Sequence, residues 1–143
     1  MDLFPDALAE QLLGLARQLR RRTQQRIAPL GLNPHQARAL RVIGRSGPLR
    51  PSAVAEALGI AARSATDSVA GLVSLGFVER RPDPADGRAH LLALTAAGDA
   101  ALAEVAAARS EVAAKVFGRL SAAERATLAS LLEQLADRDE PGS

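Results

Sequence analysis

Phe77-Val78-Glu79-Arg80-Arg81-Pro82-Asp83-Pro84-Ala85-Asp86-Gly87-Arg88-Ala89-His90-Leu91-Leu92-Ala93-Leu94 breaks the helical period of the surrounding chain. Residues 77–81 read as a strand, 82–87 as turn chemistry and 89–94 as the returning strand. The product is a hairpin with a polar tip and three arginines near it, Arg80, Arg81 and Arg88. An arginine on such a tip suits the narrow minor groove of a duplex, where negative potential is enhanced. Asp83 and Asp86 would oppose a tip that only bound phosphate, so they are expected to hold Arg88 and fix the loop.

N-terminal to the hairpin, two short helices are expected at 51–58 and 62–74, joined across Gly59-Ile60-Ala61. Val54, Ala55 and Leu58 fall on the inner face of the first, and Ala65, Val69, Leu72 and Val73 on that of the second. Gly59 suits a left-handed turn position, Ala55 permits close helix approach and Ile60 can plug the junction. In this helix-turn-helix the first helix braces the second, which presents Arg63, Ser64, Thr66, Asp67, Ala70 and Gly71 outward, as a helix entering a major groove would. Asp67 has two readings: it accepts from a cytosine amino group, or, as the spacing favours, it pairs with Arg63 one turn earlier.

Further out the chain is helical. Residues 5–29 carry Leu8, Leu12, Leu15 and Leu19 on one stripe, with Arg17, Arg20, Arg21, Arg22 and Arg26 mostly elsewhere, and Gly31 stops the helix. Those arginines either touch phosphate flanks or form a solvated face. Asn33-Pro34-His35-Gln36 is a capped start for a helix to about Ser46, with Ala37, Leu40 and Ile43 inward. Thr95 caps an alanine-rich helix over 96–117, and Ser121 with Glu124 opens a last helix to about Ala136 with Leu128, Leu131, Leu132 and Leu135 on one stripe. A fraying tail is expected from Asp137. The terminal leucine stripes fit burial against a second copy better than burial within so small a chain. The expectation is a mainly α fold with a small β-wing: a dimerisation helix over 1–30, a winged helix-turn-helix over 31–95 and C-terminal dimerisation helices over 96–143.

Composition narrows the function. The 143 residues suit one domain, and 48% hydrophobic content supports a packed core. With no cysteine, disulfides, thiolate metal sites and thiol chemistry are excluded. The two histidines, His35 and His90, lie far apart without a carboxylate cluster, and no P-loop, nucleophile elbow or dinucleotide fingerprint occurs; neither catalytic residues, nor a metal, nor a cofactor is expected. No apolar run spans a membrane and Met1-Asp2-Leu3-Phe4 does not open a signal peptide, so a cytoplasmic protein is expected. Residues 1–90 carry 13 Arg/Lys against 8 Asp/Glu, whereas 91–143 carry 5 against 8, so the basic part can meet a polyanion. Three phenylalanines give few stacking platforms for single strands, which favours double-stranded DNA. A winged helix serving only as a protein-interaction module is the alternative.

Ala55-Glu56-Ala57-Leu58-Gly59-Ile60, Gly76-Phe77-Val78, Asp83-Pro84-Ala85-Asp86-Gly87-Arg88 and Leu94-Thr95-Ala96-Ala97-Gly98 together resemble the MarR family over roughly residues 30–100. The resemblance implies a homodimeric transcriptional regulator, often a repressor, on a palindromic operator. It also implies an interface built from the first and last two helices, and control by small aromatic or anionic effectors held between dimer and reading domains. The chain departs from the family pattern at three places. Ala61 stands where Ser or Thr usually caps the reading helix, a loss that Ser64 is expected to offset in part; Gly87 replaces the first of two wing arginines, and Asp67 occupies an often basic position.

Overall fold

The computed structural model describes residues 4–136; the expected fraying tail and residues 1–3 lie outside that range. Its elements are α1 (Pro5–Ile27), α2 (Pro34–Ser46), α3 (Pro51–Leu58), α4 (Ala62–Ser74), β1 (Val78–Asp83), β2 (Asp86–Leu94), α5 (Ala96–Phe117) and α6 (Ala122–Leu135). The mainly helical fold with one small wing is the expected one.

Helix starts follow local chemistry. Asn33 and Gln36 form a reciprocal box: the Gln36 N–H donates to Asn33 Oδ1 at 2.8 Å and the Asn33 N–H donates to Gln36 Oε1 at 3.0 Å. Ser121 and Glu124 repeat it at the start of α6. α1 stops its regular winding at Ile27, earlier than expected. A single 3-10 turn, Ala28–Leu30, follows and Gly31 closes it at φ 79°. Pro29 explains the change, because it has no N–H to continue the ladder.

The wing strands pair antiparallel from Val78↔Leu94 through Pro82↔His90, then slip to Asp83↔Asp86. The ladder therefore reaches beyond the expected strand ends. Pro82 is tolerated because each strand of a two-stranded sheet has a free edge. Leu49 adds a short bridge to the other side of β2, exchanging backbone bonds with Leu92 at 3.0 and 2.7 Å.

One core holds these parts together. Leu40 and Ile43 of α2, Val54 of α3, Leu72 of α4, Leu92 of β2 and Val105 of α5 are its largest fully buried side chains. α1 packs along α5 but contributes only Ile27 to the fully buried set. α6 packs substantially on no other element among the described residues. No helix of the described chain is long and apolar enough to cross a membrane.

Candidate nucleic-acid interface

α3 ends where Gly59 turns left-handed at φ 63°, with its N–H donating to the Glu56 carbonyl at 3.1 Å. The Ile60 N–H donates to the Ala55 carbonyl at 3.2 Å, and the Ile60 side chain packs half-buried against the core. α4 then sets off with Ala65, Val69 and Leu72 buried and Val73 partly so, which fixes its rotation. Arg63, Ser64, Thr66, Asp67 and Ala70 are all exposed on its other side.

Three details differ from the sequence expectation. The Arg63–Asp67 pair does not form among the described residues. Such a surface pair is worth only about 0.3–0.5 kcal/mol, and basic-before-acidic is the weaker order along a helix. Gly71 does not lie on the open face: a Cβ there would fall 2.2 Å from Gln36 Nε2, so its smallness admits a side chain of α2. Ser64 supplies no cap for the bare start at Ala61, which has no side-chain partner. The Thr66 hydroxyl donates back to the Ala62 carbonyl at 2.9 Å.

Beside α4, the wing carries Arg80, Arg81 and Arg88, all exposed. Arg81 is not free: its guanidinium binds Glu79 Oε1 at 2.5 and 2.6 Å, since residues two apart share a strand face. Arg80 and Arg88 have no ion-pair partner among the described residues. The expectation that Asp83 or Asp86 grips the Arg88 side chain is corrected. Asp86 Oδ1 accepts the backbone N–H of Arg88 at 3.1 Å, while Asp83 takes a different arginine.

That arginine is Arg50, which sequence reading missed. Its Nε and Nη2 donate to Asp83 Oδ2 at 3.2 and 2.9 Å, and Asp83 Oδ1 accepts the Ala85 N–H at 2.9 Å. Asp83 is the only charged side chain buried among the described residues. The Ala85 N–H and then Arg50 hold its carboxyl below the usual carboxylate range.

The base of the wing is tied to α5. Thr95 Oγ1 accepts the Gly98 N–H at 3.0 Å and donates to the Gly76 carbonyl at 2.5 Å. Gly98 is required there, because a Cβ would fall 1.9 Å from the Phe77 carbonyl oxygen. His35 and His90 are both exposed, and no group of three His, Cys, Asp or Glu side chains able to hold a metal occurs among the described residues.

A reading helix on a braced turn, beside a hairpin with free arginines, is the geometry of a duplex reader. The sequence profile of the MarR family matches residues 30–89, the segment that builds this geometry. An uncharacterized HTH-type transcriptional regulator from Mycobacterium leprae is 35% identical over 104 residues, covering 73% of this chain and 70% of its own. The crystal structure of a probable transcriptional regulator from Pseudomonas aeruginosa superposes with a TM-score of 0.74 at 30% identity, over 90% of this chain and 96% of that one. A mutant MarR from E. coli complexed with operator DNA superposes with a TM-score of 0.77 at 26% identity, over 96% and 100%. These relatives are transcriptional regulators rather than enzymes. The chain therefore belongs to the MarR family of DNA-binding winged-helix transcriptional regulators.

Proposed function

We propose that the protein acts in the cytoplasm as a homodimer on a palindromic operator, repressing or otherwise altering transcription there, and that a small anionic effector adjusts the spacing of its two reading heads. One observation carries the DNA half: the exposed face of α4, with Arg63, Ser64, Thr66 and Asp67, stands beside a wing whose Arg80 and Arg88 are unpaired among the described residues. In this reading α4 meets base edges in the major groove and Arg88 meets the adjacent minor groove, with Arg81 as a flanking contact and Asp83 and Asp86 shaping the tip. Residues 31–95 then form the reading head, and 1–30 with 96–143 form the dimer-building part. Exposed Leu8 and Leu12 on α1 and Leu131 and Leu132 on α6 support a second copy as the cover. The likeness in fold to a MarR solved with operator DNA supports the DNA half of this reading.

The effector half rests on a cleft of about 480 Å3 between α1, α2 and α5. Arg20, Arg38, Arg41 and Arg109 rim it over an apolar floor that includes Ile27 and Val105, and none of its described lining residues is acidic. Burial, reinforced by Arg109, Arg45 and Arg38, draws Arg41 below the usual guanidinium range. An anion relieves that crowding. Arg38 also donates to the Leu58 carbonyl at 3.4 Å, at the end of α3, so an anion that draws Arg38 away releases its hold on the turn before the reading helix. A ligand shifts spacing only by binding one arrangement better than another.

Selection of DNA from a random pool by the purified protein tests the first half. The expected consensus is a palindrome with half-sites about 10–10.5 base pairs apart, one duplex turn. A consensus without symmetry removes the dimeric reading. Calorimetry with benzoate against neutral benzamide, followed by operator titration, tests the second; indifference to charge removes the effector.

A further inference from the structure

We infer that Arg50 is a positioning residue of the wing: it fixes where Arg88 points without contacting DNA itself. The inference rests on the proposed role of the wing as a DNA contact. It begins with the ladder. Pro82 pairs with His90, and the next pair is Asp83 with Asp86. Residues 87–89 are therefore surplus on the β2 side, and Arg88 sits in that surplus without a cross-strand partner. Strand pairing alone does not aim it.

What aims it is side-chain chemistry at the tip. Asp86 Oδ1 accepts the Arg88 N–H at 3.1 Å, and Asp83 Oδ1 accepts the Ala85 N–H at 2.9 Å. These bonds close the loop on itself. Among the described residues, the two bonds from Arg50 to Asp83 Oδ2 are the only hydrogen bonds that join the tip to a part of the molecule outside the hairpin. The backbone of Arg50 is held on both sides. Leu49 is bridged to Leu92, and Pro51, whose ring fixes φ, opens α3. The helix-turn-helix frame thus holds the tip through one guanidinium.

The charge balance points the same way. An unpaired Asp83, buried at a tip meant to approach phosphates, would cost both desolvation and repulsion. Arg50 neutralises it, and two N–H groups converging on one oxygen suit arginine better than lysine. The Arg50 side chain is half exposed, so direct phosphate contact is the rival role.

A double-mutant cycle on the selected operator separates the two. Arg50→Gln and Arg88→Ala, singly and combined, are measured by fluorescence anisotropy across a salt series, with amide exchange at Ala85 and Arg88 in the free protein. If Arg50 positions Arg88, Arg50→Gln weakens binding about tenfold in the wild type but less than about twofold in the Arg88→Ala background. The salt slope stays unchanged, and both amides exchange about tenfold faster or more. Asp83→Asn reproduces the pattern, and Arg50→Lys restores it only in part. Losses that multiply, with a slope reduced by about 1, assign Arg50 to phosphate instead and overturn the inference. Unchanged exchange also overturns it, whatever the DNA result. If Arg88→Ala leaves affinity intact, the wing reading itself falls and the inference falls with it; if the amides still exchange faster, the fault lies in that reading and the Arg50 tie stands as a structural one. Should Arg50→Gln unfold, exchange in Arg50→Lys decides: protection equal to wild type overturns the inference.

Discussion

Ala61 occupies an extended N-cap position, φ −61° and ψ 145°, with no side chain to bind the free N–H groups of α4. The backbone is already in the geometry a capping serine needs. Ala61→Ser is expected to raise stability by about 0.5–2 kcal/mol, read as a later denaturant midpoint with an unchanged slope. Asp83 gives a residue-scale prediction of another kind. Its carboxyl titrates lower in the folded chain than in the unfolded one, first through the Ala85 N–H and then through Arg50. The stabilisation is therefore complete above the ordinary carboxylate pKa and is lost as pH falls through the lowered folded value. Thermal midpoints of wild type and Asp83→Asn are expected to differ at pH 7 and to converge in strong acid. A gap that persists at all pH values would mean that Asp83 acts through packing rather than charge.

Among the elements, the wing and the first helix both display arginines, yet their environments differ. Arg88 stands on an unpaired stretch of the tip, whereas Arg20 lies on the rim of the cleft. In gel-shift titration at fixed salt, Arg88→Ala is expected to weaken operator binding more than Arg20→Ala; equal small losses would contradict the wing assignment. α6 is the element with least support from its own chain, with Leu131 49% and Leu135 73% exposed. Apolar patches of this kind mark interaction surfaces. Leu131→Asp with Leu135→Asp is expected to give monomers in sedimentation equilibrium while helical circular dichroism is largely kept. Dimers that survive both changes would place the interface elsewhere. Most elements were legible in the sequence because their signals are local: Asn33 with Gln36, Thr95 before Gly98 and Ser121 with Glu124 each lie within one turn. The Arg50–Asp83 tie was not, because its partners stand 33 residues apart and meet only once the hairpin folds back. Gly71 was misread for a related reason: periodicity gives an angle around the helix but not the neighbour, here Gln36, that lies there.

On the scale of the whole molecule, basic residues are concentrated before residue 91 and acidic ones after it, although the net charge is only +2. Duplex affinity is expected to fall about 10³–10⁵-fold between 50 and 200 mM salt if 6–10 phosphates are contacted, measured by anisotropy. Affinity indifferent to salt would favour a protein partner over DNA. The shared core has a mechanical corollary. Ala101, Val105 and Ala108 of α5 lie in the same buried cluster as Leu40, Val54 and Leu72. Close-packed interiors transmit displacement rather than absorbing it. By that argument the first half of α5 and the helix-turn-helix are expected to move together as one arm. In the proposed dimer, a stroke that opens or closes the two heads is expected to pivot outside that arm, at the loosely covered α1 and α6, where a small tilt would swing α4 through a larger arc.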